Sequence, residues 1–146
     1  DLSPYAVMST LKSTYLNNVD IYVDVIQCDG LSCIRPCKCF NAVFTNPPYL
    51  PVQEYESWLG ISWSGGREGI EVFIHMIKEI ENILKPQGYL FFTHSSLSNI
   101  KKLIDILKSI GFDSIEISRQ CFFWECILLF KSTRCIDETE SNYCRS

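Results

Sequence analysis

The chain has 146 residues, of which 47% are hydrophobic and 21% are charged, and it carries a formal net charge of −4. This length and composition are typical of one globular domain. The acidic balance argues against a protein that coats nucleic acid, because such proteins normally present a basic face. The sequence has no run of about 18 apolar residues, so it predicts no membrane span.

The first predicted elements are a helix and a strand. Ser3-Pro4 is typical of a helix start, and the apolar residues that follow recur at helical spacing, which predicts a helix over residues 4–16. The β-branched run over residues 20–27 predicts a buried strand. Residues 30–39 are predicted to form a loop, which separates this helix and strand from the next strand.

A second strand is predicted over residues 40–45, and it stops at Asn46. The long loop that follows, residues 46–68, contains three prolines and three glycines. A loop of this length in a compact domain is usually functional or disordered. Trp58 and Trp63 favour a functional loop, because disordered segments contain few aromatic residues.

The second half of the chain alternates helices and strands. The predicted elements are a helix over 70–84, a strand over 89–93, a helix over 100–107 closed by Gly111, strands over 114–118 and 123–130, and a polar tail over 132–146. This order predicts an α/β fold over residues 1–131, with a mainly parallel sheet and helices on both faces. Because no helix separates the last two strands, one antiparallel strand is expected near an edge.

Polar residues stand where predicted strands end. Asp29 follows the first strand, Asn46 follows the second, and Asp1 precedes the first helix. In open α/β sheets, ligands bind outside the carboxyl ends of the strands. We therefore expect these three side chains to cluster on one rim of the sheet.

The run Asn46-Pro47-Pro48-Tyr49 resembles the catalytic motif of class I S-adenosylmethionine-dependent methyltransferases that modify planar nitrogen atoms. Further segments narrow the resemblance: residues 1–7, 23–29, 64–69, 84–88 and 118–120. Together they resemble the HemK-like protein glutamine methyltransferases, in particular their eukaryotic and archaeal branch. The resemblance covers about residues 1–131. It implies a Rossmann-like methyltransferase sheet and methylation of the glutamine in the Gly-Gly-Gln motif of class I translation termination factors.

The chemistry of the four-residue motif follows from the donors that a planar nitrogen offers. A primary amide has two N–H groups in one plane, of which the Asn46 side-chain oxygen can accept one and the Pro47 carbonyl the other. Pro47 and Pro48 fix their own φ, and Tyr49 can pack its ring on the planar group. These four residues are the predicted catalytic residues. Their expected contribution is to orient the nitrogen toward the sulfonium methyl group.

The resemblance also implies a cofactor, S-adenosylmethionine. Asp1 matches the acid that binds the ribose hydroxyls of this cofactor. Asp29 matches the acid that binds its adenine, and Gly30 allows close approach of the ring. Asn46 is the fourth predicted cofactor-binding residue. From the residues alone, Asp1 is also readable as a helix-start residue, and Asp29-Gly30 as a common turn pair.

Two partners are implied by the same resemblance. One is a class I translation termination factor as the protein substrate. The other is a small zinc-binding activator subunit that pairs with an edge strand of the methyltransferase, a mode of binding for which an exposed edge is suited. Nucleic acid is not among the expected partners, because the net charge is acidic.

One part of the family pattern is missing. No glycine-rich turn precedes Asp1, so we expect an N-terminally truncated fragment that lacks the first strand of the family and by itself binds the cofactor weakly. Two other functions stay open: an adenine or guanine N-methyltransferase acting on a flipped DNA or RNA base, and a non-catalytic, truncated interaction module. A lysine acceptor is also open within the first hypothesis.

The chain has eight cysteines, which we interpret as structural residues and not as metal ligands. Cys28, Cys33, Cys37 and Cys39 cluster without the paired spacing of a zinc site, so no metal site is predicted. The first residues lack the pattern of a secretory signal, so reduced thiols and a location in the cytoplasm, or also the nucleus, are expected. Cys121 and Cys126 are expected to be core or strand residues.

Six further residues are polar or aromatic side chains for which a functional and a structural role are both conceivable. Trp58, Trp63, Arg67 and Glu68 lie in the long loop and are candidates for gripping the substrate, although simple packing explains the tryptophans equally well. His75 and His94 are expected to be structural, because neither pairs in sequence with a candidate nucleophile.

Overall fold

The computed structural model describes residues 1–134, which divide into two compact units, residues 1–35 and residues 36 onward. No helix in this described part is long and apolar enough to cross a membrane. Each unit has its own internal hydrogen bonds and its own cleft.

The first unit is built on helix α1 (Pro4–Leu16), which confirms the predicted helix. Ser3 caps its start, because the Ser3 hydroxyl accepts a hydrogen bond from the backbone N–H of Ala6 at 3.4 Å. Pro4 occupies the first helical position, where its missing N–H is harmless. The last helical residue is Leu16, Asn17 is the C-cap, and Asn18 adopts a left-handed φ of 55°.

The predicted buried strand over residues 20–27 is wrong. Residues Asp20–Tyr22 form a 3₁₀ turn, and the side chains of Val23 and Ile26 are 40% and 49% exposed. Within residues 1–35, Tyr22 donates to the Val19 carbonyl at 2.9 Å in this turn. The rest of the segment lies beside Asp1, whose N–H donates to the Ile26 carbonyl and whose carbonyl accepts from Cys28, both at 3.1 Å. This is the pattern of a single parallel β bridge. β-branched residues form a strand only where a neighbouring strand pairs along its length.

The second unit contains a four-stranded mixed sheet in the order β1-β2-β4-β3. The strands are β1 (Phe40–Thr45), β2 (Leu84–Ser95), β3 (Phe112–Phe122) and β4 (Glu125–Arg134). β1 pairs with β2 in parallel, whereas β4 is antiparallel to both β2 and β3. Three of the described strands therefore run in one direction, and β4, next to the edge strand β3, is reversed. The predicted α/β sheet with one antiparallel strand near an edge is confirmed.

Helices α3 (Glu71–Ile83) and α4 (Ile100–Ser109) supply much of the core of the second unit and confirm the predicted periodicity. The buried positions of α3 are Phe73, Ile77, Ile80 and Ile83, and those of α4 are Leu103 and Leu107. The ring of Phe73 lies 4.6 Å from that of Phe92 on β2. This contact fixes α3 against the β2 residues that lead toward His94.

The long loop predicted over residues 46–68 contains a helix that the sequence analysis missed. Helix α2 (Trp58–Trp63) begins after Ser57, whose hydroxyl accepts from the backbone N–H of Gly60 at 2.9 Å. Six residues are too few to give a recognisable periodic pattern. The helix is nevertheless held in place, because the Ser64 hydroxyl that follows it donates to the Glu54 carbonyl at 2.9 Å.

The predicted polar tail begins too early, because β4 continues through Arg134. Ser132 is buried, and its hydroxyl lies 2.6 Å from that of Ser114 on β3. Arg134 forms an ion pair with Glu81 of α3 at 3.1 Å. Cross-strand pairing thus draws polar residues into the sheet. Residues 135–146, the rest of the predicted tail, lie outside the described residues.

The expectation of reduced thiols is wrong for four cysteines. Disulfides join Cys37 to Cys39 and Cys121 to Cys126, whereas Cys28 and Cys33 are free thiols. Cys121 and Cys126 are strand residues, as expected, and they are directly opposite each other in the β3–β4 ladder. Their proximity follows from the hairpin register. Cys135 and Cys144 lie outside the described residues.

Candidate functional site

The four residues that follow β1 line a cavity of about 160 Å³ in the second unit. The other lining residues are Leu50, then Ser62 and Trp63 at the end of α2, and Glu125 at the start of β4. β1 and β2 are parallel, and Thr45 is opposite Phe92. The cavity therefore lies beyond the carboxyl end of β1, where an α/β sheet normally binds ligands. The predicted catalytic residues Asn46, Pro47, Pro48 and Tyr49 all line it.

Asn46 is oriented by a residue on the neighbouring strand. The hydroxyl of Thr93 on β2 donates a hydrogen bond to Oδ1 of Asn46. A carbonyl oxygen has two lone pairs, so Oδ1 can still accept one N–H from a ligand. Sequence analysis assigned no role to Thr93, because its proximity to Asn46 depends on the register of β1 on β2.

The loop beyond Asn46 is tied down by its backbone. The Ser98 hydroxyl donates to the carbonyl of Tyr49 at 2.6 Å. Leu50 donates its N–H to the Trp63 carbonyl at 3.0 Å and accepts from the N–H of Gly65 at 2.9 Å. A side chain could not be added at Gly65, because a Cβ there would lie 2.8 Å from Cα of Tyr49. The run from Asn46 to Leu50 is therefore held without belonging to a helix or a long strand.

His94 supports this loop from the core. It is fully buried, and its ring lies 5.8 Å from the rings of both Tyr49 and Phe73. Because the Ser98 hydroxyl donates its proton to Tyr49, Nδ1 of His94 acts as the donor to Ser98 across 3.2 Å. Nε2 then carries the lone pair, and within residues 1–134 it has no hydrogen-bond partner. Burial lowers the pKa of His94 to about 4, so the ring is neutral at pH 7.

Glu125 brings a carboxylate to the same cavity. Its Oε1 is buried and has no hydrogen-bond partner within the described part of the chain. Burial, and secondly the charge of Glu125, raise the pKa of the Tyr49 phenol above its ordinary value. No local sequence pattern indicates a role for Glu125, because the β3–β4 hairpin brings Glu125 next to Tyr49.

The candidates for gripping the substrate separate in the structure. Trp63 lines the cavity, and its ring N–H donates to Glu54 at 3.3 Å. Glu68 instead holds the start of α4: its carboxylate accepts from the side chain of Asn99 at 2.9 Å and pairs with Lys102. These contacts lower the pKa of Glu68, with Lys102 as the largest cause. Glu68 is therefore a structural tie at the start of α4, and a contact of Glu68 with the substrate stays a prediction.

The first unit has its own cleft of about 290 Å³, and Asp1 and Gly30 both line it. One oxygen of Asp1 accepts the backbone N–H of Ser3 at 2.8 Å, so Asp1 does act at the helix start. Gly30 has a φ of +53°, which glycine adopts without strain. Asp29 is exposed beside the cleft, and its carbonyl accepts from Ser32 at 3.1 Å in a turn.

The predicted site residues thus fall into two groups. Asp1 and Gly30 share the cleft of the first unit, with Asp29 next to Gly30 in the chain. The four residues Asn46 to Tyr49 share the cavity of the second unit. The expected cluster of Asp1, Asp29 and Asn46 on one rim involves both units, and it stays a prediction.

Curated relatives of the chain are methyltransferases. MJ0928 of Methanocaldococcus jannaschii, which carries the name of a protein N5-glutamine methyltransferase, is 36% identical over 121 residues, which are 81% of this chain and 59% of MJ0928. HEMK2 of Homo sapiens, named a methyltransferase, is 27% identical over 124 residues, or 82% of this chain and 58% of HEMK2. The eRF1 methyltransferase catalytic subunit mtq2 of Schizosaccharomyces pombe is 26% identical over 112 residues, or 69% and 48%. The chain thus spans roughly half to three fifths of the length of these relatives.

Solved structures agree on the fold. The Mtq2–Trm112 complex of E. cuniculi aligns with a TM-score of 0.62 at 16% identity, covering 88% of this chain and 77% of that chain. The ribosomal protein L11 methylase of Lactobacillus delbrueckii subsp. bulgaricus gives 0.62 at 14%, with coverages of 93% and 56%. The [4+2]-cyclase SpnF gives 0.64 at 13%, with 93% and 65%. At these identities the likeness concerns the fold alone.

No family model matches the chain, so its assignment depends on the curated relatives and on the fold. The relatives match most of the described residues, including the segment that lines the cavity of the second unit. The structural neighbours share the overall fold of the chain. The chain therefore has the fold of the class I methyltransferases, and over the residues that it spans it is similar in sequence to MJ0928, HEMK2 and mtq2, which are named methyltransferases.

Proposed function

We propose that the chain forms the acceptor site of an S-adenosylmethionine-dependent methyltransferase that modifies the glutamine of a Gly-Gly-Gln motif in a class I translation termination factor. The observation that carries this proposal is the cavity lined by Asn46, Pro47, Pro48 and Tyr49, whose backbone is fixed by Ser98, Trp63 and Gly65. A held loop with carbonyl oxygens at its start suits a flat ligand that carries two N–H donors.

The residues act on the acceptor by orienting it. Oδ1 of Asn46 and the carbonyl of Pro47 accept the two N–H groups of the glutamine amide, and the ring of Tyr49 packs against its plane. The bound cofactor supplies a methyl group on a positively charged sulfur. Orientation of two reacting groups contributes up to roughly 7–11 kcal/mol in favourable cases. Because the loop is already held, little of this is lost to ordering it.

We assign the adenosine part of the cofactor to the cleft of the first unit. Its walls include the apolar side chains of Val23, Ile26 and Ile34, which suit an aromatic base. The second carboxylate oxygen of Asp1 is available for ribose hydroxyls, and Asp29 for the exocyclic amine of adenine. Gly30 leaves room for the ring. These residue types fit an adenosine, and the class I methyltransferase homologues support the same cofactor.

The substrate and the partner are extended to this chain from its relatives. The S. pombe relative is named an eRF1 methyltransferase catalytic subunit, and the solved E. cuniculi protein is in complex with Trm112. These names support a termination factor as the substrate and a small activator, zinc-binding as the family resemblance implies, as the partner. The acidic net charge of −4 argues against a nucleic-acid substrate.

A direct transfer assay tests the proposed function. The full-length protein, with its activator, is incubated with labelled S-adenosylmethionine and a termination-factor domain that carries Gly-Gly-Gln. We expect one added methyl group on the side chain of that glutamine, located by tandem mass spectrometry, and none when the glutamine is replaced by alanine. Label on a lysine, or on added DNA or RNA instead of the protein, would contradict the proposed acceptor.

Thr93 is expected to contribute through Asn46. Replacing Thr93 by valine keeps the shape of the side chain but removes the hydroxyl that donates to Oδ1 of Asn46. We expect kcat/KM for the glutamine acceptor to fall roughly 10-fold, since one hydrogen bond contributes about 0.5–1.5 kcal/mol. Thr93→Ser, which retains the hydroxyl, should stay within about threefold of the unmodified protein. Equal losses in both variants would show that the hydroxyl does not orient Asn46.

A further inference from the structure

Glu125 lines the acceptor cavity and has a buried carboxylate oxygen that is left unsatisfied within the described residues. Glu125 lines the cavity together with Tyr49, and its Oε1 has no hydrogen-bond partner within the described residues. Buried polar atoms nearly always have a partner, because burying them alone is costly. Glu125 also forms no ion pair among the described residues, so its charge is left to act on whatever the cavity binds.

The backbone next to Glu125 is fixed on both sides. Cys126, the following residue, donates its N–H to the Ser96 hydroxyl and accepts the Ser96 N–H at its carbonyl, both at 2.8 Å. Cys126 is also joined to Cys121 on β3 by a disulfide. The start of β4 is thus tied both to β3 and to the segment after β2. A carboxylate on such a support is held at the cavity before any ligand binds.

The chemistry of a carboxylate defines what it can recognise. An ionised carboxylate only accepts hydrogen bonds, so it favours ligands that offer N–H or O–H donors. A second carboxylate brought close to it is repelled, because a like charge in a partly desolvated site is poorly screened. Glutamine and glutamate have the same shape and differ in this respect alone, so shape cannot separate them and charge can.

We propose that Glu125 is a specificity-determining residue of the acceptor site, whose unpaired negative charge at the cavity excludes the isosteric carboxylate of glutamate. This inference rests on the proposed function, because it concerns the same cavity. Asn46 and Pro47 already accept the two N–H donors of the amide, so Glu125 acts through its charge and not as a third acceptor. A termination factor whose glutamine had been deamidated would not bind productively.

The test changes one negative charge in the protein, by Glu125→Gln, and one in the peptide, by replacing Gly-Gly-Gln with Gly-Gly-Glu. Two peptides, identical except for Gly-Gly-Gln in one and Gly-Gly-Glu in the other, are titrated into the full-length protein and its activator by calorimetry. We expect the unmodified protein to bind the glutamine peptide at least 10-fold more tightly. In Glu125→Gln this preference should fall at least 10-fold, mainly because the glutamate peptide binds better. A tenfold change is within the effect of a like charge a few ångströms away in a partly desolvated site.

A matched control removes the same charge elsewhere on the hairpin. Glu116 on β3 does not line the cavity, and it pairs with Arg119 at 2.8 Å on the protein surface. Glu116→Gln is expected to keep the preference of the unmodified protein. If Glu125→Gln does not fold, Glu125→Ala, which also removes the charge, should lose the preference in the same way.

The outcomes separate the inference from the proposed function. A ratio of the two affinities that stays unchanged in the Glu125 variants overturns the inference, and so does an equal weakening of both peptides, which indicates a purely structural role. Absence of methyl transfer to the glutamine by the unmodified protein overturns the proposed function instead. A changed ratio in Glu116→Gln would also count against the inference, because it would indicate a general effect of net charge.

Discussion

Asn46→Ala is expected to lower kcat/KM for a Gly-Gly-Gln acceptor at least about 100-fold, the loss typical when a reacting group is no longer positioned. The substitution removes Oδ1, which is held by the Thr93 hydroxyl and lines the acceptor cavity. The amide would then retain the Pro47 carbonyl but lose the oxygen that fixes its rotation. The free energy of unfolding should change by no more than about 1 kcal/mol, because Asn46 is exposed.

The same strand offers a matched control for this substitution. Asn41 lies near the opposite end of β1, is exposed, and accepts a hydrogen bond from Lys85 at 2.7 Å. Asn41→Ala should leave transfer within about twofold of the unmodified protein, since a surface pair of this kind contributes little. Both variants are compared in the full-length protein by initial rates and by urea unfolding. Equal transfer by Asn46→Ala and the unmodified protein would remove Asn46 from the mechanism.

The stability of the protein is expected to fall by about 3 kcal/mol between pH 7 and pH 4 because of His94 alone. Burial lowers the pKa of this histidine from 6.5 to about 4 in the folded protein. Above pH 6.5 the ring is neutral in both the folded and the unfolded chain, and the full stability is present. As the pH falls below 6.5, the unfolded chain takes up a proton and the folded chain does not, so stability declines until the pH passes the folded value.

Urea unfolding at pH 7.0 and pH 5.0 measures this effect by difference. His94→Phe keeps a ring beside Tyr49 and Phe73 but cannot be protonated, so its free energy of unfolding should fall by about 2 kcal/mol less than that of the unmodified protein over this interval. His75→Gln, at an exposed position of α3, should retain the pH dependence of the unmodified protein. Equal slopes for His94→Phe and the unmodified protein would mean that His94 takes up its proton in the folded state.

The two effects differ in how far they extend through the structure. The Ser98 hydroxyl links Nδ1 of His94 to the carbonyl of Tyr49, so the buried ring and the acceptor loop share one hydrogen-bonded chain. A change at His94 should therefore reach Tyr49 through Ser98, whereas a change at Asn46 should not reach the core. Activity and stability are expected to separate in Asn46→Ala and to be coupled at low pH.

Local chemistry in the sequence determined much of this protein. The Ser3-Pro4 start of α1, the apolar stripes of α3 and α4, and the strand that ends at Asn46 are all readable from residues close together in the chain. Periodicity and capping act within one or two turns, so a short window contains their cause. The motif Asn46-Pro47-Pro48-Tyr49 belongs to this class, because the prolines fix the backbone without distant partners.

Tertiary structure decided what depends on partners distant in the chain. Residues 20–27 have strand-forming side chains, yet within their unit no strand pairs with them, and they form a 3₁₀ turn followed by irregular chain. Thr93 reaches Asn46 through the register of β2 on β1, and Glu125 reaches Tyr49 through the β3–β4 hairpin. No local pattern encodes these contacts, because a strand's register is fixed by which face is buried and by the turn that joins it. The sequence therefore determined the oxygens that meet the acceptor, and the fold decided which side chains hold and surround them.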